Sequence, residues 1–224
     1  MKIELESNLL KTLFRNVYFI NGTAYAGKST MVKLLAEKYD GICCGENYHD
    51  ELRYLADPEH QPHLSYFETM SGWQEFVTRT PEQYDTWITG SSFEAAQLEI
   101  IKLLRLSESG KKIFVDTNIS IDILKEISDY HHVAIMLSPQ WMSVQWFFDR
   151  PDADKQFLYQ KLMECPNPQS ALANYRKCLE KINSPERYKS FAESGFFTTV
   201  RTENSTIEVT LRQLEDHFLL TSGM

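Results

Sequence analysis

Near the start of the chain, the run Val17-Tyr18-Phe19-Ile20 is followed by Gly22-Thr23-Ala24-Tyr25-Ala26-Gly27-Lys28-Ser29, after which Met31, Leu34 and Leu35 recur at helical spacing. No other segment restricts the fold as much. A short apolar run of strand length feeds in and a helical period leads out. The two glycines admit backbone dihedrals that a Cβ resists, so the chain between them can wrap around an anion. The amide N–H groups from Ala24 to Ser29 then converge as a nest, and the following helix adds the positive end of its dipole. Lys28 is placed to bring its ammonium to the β- and γ-phosphates of a nucleotide, and Ser29 to offer its hydroxyl to Mg²⁺. Thr30 extends the cradle toward the α-phosphate. Gly22, Thr23, Ala24, Tyr25, Ala26, Gly27, Lys28, Ser29 and Thr30 are therefore the expected phosphate seat, with ATP and Mg²⁺ as its occupants. A plain turn between a strand and a helix has no need of Gly, Lys and Ser at these spacings.

Four further runs have strand length: Gly41-Ile42-Cys43-Cys44, Lys112-Ile113-Phe114-Val115, Val133-Ala134-Ile135-Met136-Leu137 and Phe196-Phe197-Thr198-Thr199-Val200. Helical patterns separate them. From Phe93 to Leu106, Leu98, Ile101 and Leu104 share a face, and Gly110 is the expected stop. Ile121, Leu124 and Ile127 mark a short helix. Ser205-Thr206-Ile207-Glu208 reads as a capping box before a last helix with Ile207, Leu211, Leu214 and Phe218 on one stripe. Strands alternating with helices predict parallel pairing with right-handed crossovers, hence one α/β domain over residues 1–224 with a five-stranded parallel sheet covered on both faces. Two connections, residues 46–111 and 140–195, exceed a simple crossover. Insertions at the carboxyl ends of parallel strands build ligand sites, so the first is expected to hold substrate and the second to form a lid.

The formal net charge of −8 over 224 residues argues against a nucleic-acid partner. The four cysteines, Cys43, Cys44, Cys165 and Cys178, form no Cys-x-x-Cys pair and suit a reducing compartment. The adjacent Cys43-Cys44 is expected as buried strand packing. The first residues carry early acids and no apolar h-region, and no run approaches membrane-span length, so a cytoplasmic location without a membrane partner is the expectation.

Asp116 closes the third run. A strand beside the loop's own strand would bring its carboxylate to Ser29, to hold Mg²⁺ through water or to accept a proton. Glu46, just after the second run, is a candidate base or acceptor-binding group, with His49 and Asp50 as weaker ones. Phosphoryl transfer calls for cations around the equatorial oxygens. Arg150 is the leading candidate, followed by Lys155, Arg176 and Lys177, while Arg53 and Arg79 could grip an acidic acceptor. The dense aromatics of both insertions are expected to be the insertions' own core.

Together, the loop, the parallel strands and the two insertions resemble the nucleoside monophosphate kinase and shikimate kinase group. A softer likeness lies in Ser184-Pro185-Glu186-Arg187-Tyr188 followed by Val200-Arg201-Thr202, similar to a pattern of shikimate kinases. The resemblance implies a P-loop NTPase three-layer sandwich with strand order 2-3-1-4-5, ATP with Mg²⁺ as donor, a closing lid, and a loop after the fifth strand bordering adenine. It also implies a small-molecule kinase acting on a nucleoside, a nucleotide, or a small hydroxy acid or sugar. Departures are plain: Gly45-Glu46-Asn47 and Asp116-Thr117-Asn118 replace the group's usual motifs after strands two and three. Glu46 stands where deoxynucleoside kinases place a base glutamate. A switch, a simple NTPase or a binding protein that has lost the chemistry are the other readings. The Asn-Lys-x-Asp of guanine switches and the Leu-Ser-Gly-Gly of transporter ATPases are absent.

Overall fold

A computed structural model describes residues 6–149 and 153–220. Its strands are β1 Val17–Gly22, β2 Ile42–Cys44, β3 Ile113–Asp116, β4 Val133–Leu137 and β5 Phe197–Val200. All pair in parallel in the order β2-β3-β1-β4-β5. Strands buried on both faces read as continuous apolar runs, which is why β1, β3 and β4 were visible as such.

Helices cover both faces. On one lie α1 Ser7–Leu13, α5 Pro81–Ser107, α6 Ile121–Ile127 and α10 Pro185–Ala192. Their side chains meet Val17, Phe19, Ile113, Val115, Val133 and Ile135 of the sheet. On the other lie α2 Lys28–Lys38 and α11 Ile207–His217, which enclose Tyr18, Ile20, Phe114, Ala134 and Met136. Alternate strand residues thus serve opposite layers, as the period of two requires. Each such side chain withdrawn from water contributes roughly 1.5–3 kcal/mol.

The first long connection holds a 3₁₀ turn at Asp50–Leu55, α3 Tyr66–Thr69, α4 Trp73–Val77 and α5. The second holds α7 Gln140–Gln145, α8 Ala153–Met163, α9 Pro168–Ile182 and α10. Local chemistry sets their starts. Thr80 and Gln83 form a reciprocal capping box with Pro81 at the first helical position of α5. At α9 and α10 the cap is one-sided: Asn167 accepts from the N–H of Ser170 and Ser184 from that of Arg187, each before a proline at the first helical position. The two insertions share one core: Phe76, Val77 and Tyr84 pack with Leu158, Leu162, Tyr175 and Leu179. The aromatics are this core, as expected, although Tyr54, Trp141 and Trp146 are exposed.

Three local expectations need correction. Cys44 is buried, but Cys43 is exposed, because neighbouring residues of a strand point to opposite faces. The cap of α11 is Thr206, whose hydroxyl accepts from the N–H of Val209, so the pattern starting at Ser205 is one residue out of register and Ile207 is exposed. In α5 the buried stripe holds Leu98 and Leu103, and Ile101 faces solvent. No helix among the described residues is long and apolar enough to cross a membrane.

Candidate functional site

Parallel pairing brings the carboxyl ends of β1 and β3 side by side, with Ile20 opposite Asp116. The loop after β1 then leaves over β4. Gly22 has φ +129°, and a Cβ there would stand 1.9 Å from the carbonyl oxygen of Met136. Only glycine lets β1 end this close to β4. Tyr25 has φ +66° and Gly27 φ +94°, so the chain reverses its curvature twice before α2 begins at Lys28. No side chain caps α2. The first-turn N–H groups of that helix face the loop without a capping oxygen, the arrangement that attracts an anion.

The outer side of the loop is tied down. Thr23 donates its N–H to Met136 O at 3.0 Å, and the Ser138 N–H donates to Thr23 Oγ1 at 2.7 Å. The Ser138 hydroxyl donates to Ala24 O at 2.6 Å, and Arg201 Nη1 donates to Tyr25 O at 2.6 Å. The Tyr25 hydroxyl donates to Trp146 O, next to α7. With these carbonyls held from outside, the amides are the polar groups left to line the concave side.

Three charged or hydroxylic groups meet at the loop's end. Ser29 Oγ donates to Asp116 Oδ2 at 2.6 Å, and Lys28 Nζ lies 3.9 Å from Asp116 Oδ1 and donates to Thr23 O at 3.2 Å. Asp116 is 6% exposed, so its carboxylate is shielded from water but paired. A hydroxyl and a carboxylate in contact beside a lysine form a hard-oxygen set that suits Mg²⁺. The expected approach of Asp116 to Ser29 is present, and Lys28 stands beside the pair.

A second carboxylate lies directly behind. Glu99 of α5 is 2% exposed and accepts from Thr117 Oγ1 at 2.6 Å and from the Tyr48 hydroxyl at 3.2 Å. Burial, and to a lesser degree the charge of Asp116, push its pKa up to about 7, against the pull of the two hydrogen bonds. His49 Nδ1 lies 3.7 Å from Glu99 Oε1 and makes no hydrogen bond among the described residues, and burial holds this imidazole below its ordinary pKa. Sequence reasoning missed Glu99. The available signal was an acid among Ala95, Ala96, Leu98 and Leu103 on a buried helix stripe.

The remaining candidates are dispersed. Glu46 is exposed in the turn after β2, and no hydrogen bond or ion pair joins it to Lys28, Ser29 or Asp116 among the described residues. Arg150 lies outside the described residues. Arg53 pairs with Glu68 and donates to Leu64 O, and Arg79 stacks on Tyr66 at 3.7 Å within the insertion core. Arg176 and Lys177 are exposed on α9, and the ammonium of Lys155 lies over the Phe147 ring.

Among the described residues, two cavities abut the loop and share no lining residue. One, of about 170 Å³, touches Ala26, Gly27 and Thr30 and is closed by Arg201, Ser205, Thr206 and Ile207 after β5. The other, of about 610 Å³, touches Asn21, Gly22, Thr23 and Ala24 and opens between α5, α6, α9 and α10. Comparison of the chain with family models, curated proteins and solved structures returns no match.

Proposed function

We propose that the chain is a P-loop phosphotransferase that moves the γ-phosphoryl group of ATP to a hydroxyl of a small molecule, with Mg²⁺. The observation that carries this reading is the contact of Ser29 with Asp116, beside Lys28, at the uncapped start of α2. The smaller cavity has the place and size for the nucleobase, at the end of the loop nearest Thr30 and the segment after β5. The phosphates then run along the loop toward Gly22, whose neighbours tie the backbone in place.

In this reading the loop amides and the α2 N-terminus hold the phosphate oxygens. Lys28 leaves Thr23 O and offsets the charge that develops on the β- and γ-phosphates. Ser29 and Asp116 would hold Mg²⁺, which neutralises phosphate charge when bound. Asp116 also orients the acceptor hydroxyl and takes its proton. It is preferred to Glu46 because it stands in the cluster, whereas Glu46 is exposed in its turn. A cation from the second insertion, Arg150 by sequence, completes the charge balance.

Nucleotide binding by titration and turnover across alcohol acceptors test this. Lys28→Ala is expected to lower turnover roughly a hundredfold or more, and Asp116→Asn to lower Mg²⁺-dependent turnover by a similar factor. Unchanged ATP affinity and turnover in Lys28→Ala would sink the reading. Phosphate release at full rate without an acceptor would turn it into a simple NTPase.

A further inference from the structure

The larger cavity meets the loop at Gly22, Thr23 and Ala24, the end opposite the smaller one. A nucleotide whose base occupies the smaller cavity therefore directs its terminal phosphate toward the larger. The walls there are chemically one-sided. Four aromatic side chains, Phe93, Phe147, Tyr188 and Phe191, line it. Phe93 of α5 is 63% exposed, an apolar surface that a bound molecule would cover.

The polar side chains of the wall are mostly committed elsewhere. Asn21 Nδ2 donates to Ile119 O at 2.7 Å, Ser92 to Ile88 O at 2.8 Å and Asn183 Nδ2 to Leu179 O at 2.8 Å. Arg187 is fixed by Asp85 at 3.0 Å, Thr89 at 2.8 Å and Ile182 O at 3.5 Å. Lys125 is the other described lining cation and is exposed, and two acids, Asp122 and Glu193, line the same chamber. A phosphate or carboxylate on the acceptor would thus enter an apolar chamber whose inner cation is already paired, at the cost of its hydration. Asn118 remains as an exposed amide at the chamber mouth.

We propose that this chamber between α5, α6, α9 and α10 binds the acceptor, and that the acceptor is an uncharged, ring-bearing alcohol. The proposal rests on the phosphotransferase reading and narrows its substrate. The ring lies against the aromatic wall and the hydroxyl points to Gly22, Thr23 and Ala24. The hydroxyl oxygen forms a bond to Pγ as the bridging Pγ–O bond breaks. ADP leaves with the electron pair, and the hydroxyl proton is released to solvent.

The test uses the full chain with MgATP and matched probes: nucleosides and aryl alcohols against their 5′-monophosphate or carboxylate counterparts. The uncharged members are expected to show kcat/KM roughly tenfold or more above their charged partners. Phe93→Asp should lower that value roughly tenfold while ATP affinity stays as in the wild type. Charged partners turned over equally well or better would overturn the proposal. So would an unchanged kcat/KM in Phe93→Asp, or ATP binding with no probe phosphorylated, while both leave the loop reading standing. Absence of ATP binding would instead remove the reading beneath it, and the proposal with it.

Discussion

The loop from Gly22 to Ser29 and the aromatic core shared by the two insertions hold their shapes by opposite means. The loop depends on directed bonds and backbone angles peculiar to single positions. Ser138 and Arg201 each donate to one loop carbonyl, and Gly22 sits where no side chain fits. The insertion core depends on many rings in mutual contact: Phe76 lies 4.9 Å from Trp87, 5.1 Å from Phe67 and 5.9 Å from Tyr84. Ring contacts of this kind contribute roughly 0.5–1.5 kcal/mol each and are interchangeable in part. The lesson is that damage in the loop should be large and local, and damage in the core small and shared.

The sharpest way to break that contrast is Gly22→Ala. Its Cβ would collide with the Met136 carbonyl, and φ +129° suits glycine alone. A loss of about 3 kcal/mol or more in chemical denaturation, with nucleotide binding abolished, is expected. Wild-type stability in this variant would mean that the β1–β4 approach is loose. Next in size is Glu99→Gln, beside the segment that follows Asp116. The folded carboxyl has its pKa at about 7 against 4.5 for the free group. The native state therefore binds the proton more tightly than the unfolded chain does. Stability is fully present below 4.5, falls as pH rises from 4.5 to about 7 and stays lower above it. That difference corresponds to roughly 3 kcal/mol. Glu99→Gln should flatten the slope and be more stable than wild type at pH 8, as read from denaturant midpoints. A slope equal to that of the wild type would show that Glu99 is not the group responsible. The smallest effect belongs to the insertion core. Tyr175→Phe removes the buried hydroxyl contact with Tyr84 at 3.0 Å. It should cost about 1 kcal/mol and leave ATP affinity unchanged. A large loss of ATP affinity in that variant would erase the distinction between the regions.

The same contrast explains what the sequence revealed. Strand runs, the loop and Asp116 were legible because each is dictated locally, by a period of two, by glycine geometry or by a position at a strand end. The parallel order of the sheet followed from the alternation of strands and helices together with the family likeness. Glu99 was not legible, because its meaning comes from Thr117 and Tyr48, distant in sequence and adjacent only after α5 packs on β3. Ser138 and Arg201 were opaque for the same reason: a hydroxyl or guanidinium shows its partner only when β4 and β5 are in place. The docking of one insertion on the other was equally hidden, since aromatic rings reveal that they pack but not against what.

The tethers on the loop also bear on time. The loop is held by Ser138, Arg201 and the hydroxyl of Tyr25, so under the proposed function the phosphate seat would be folded before a nucleotide arrives. Encounter, and not ordering of the seat, should then set the association rate. Because Tyr25 is joined to Trp146 and through it to the second insertion, a ligand that displaced the loop would be felt at α7.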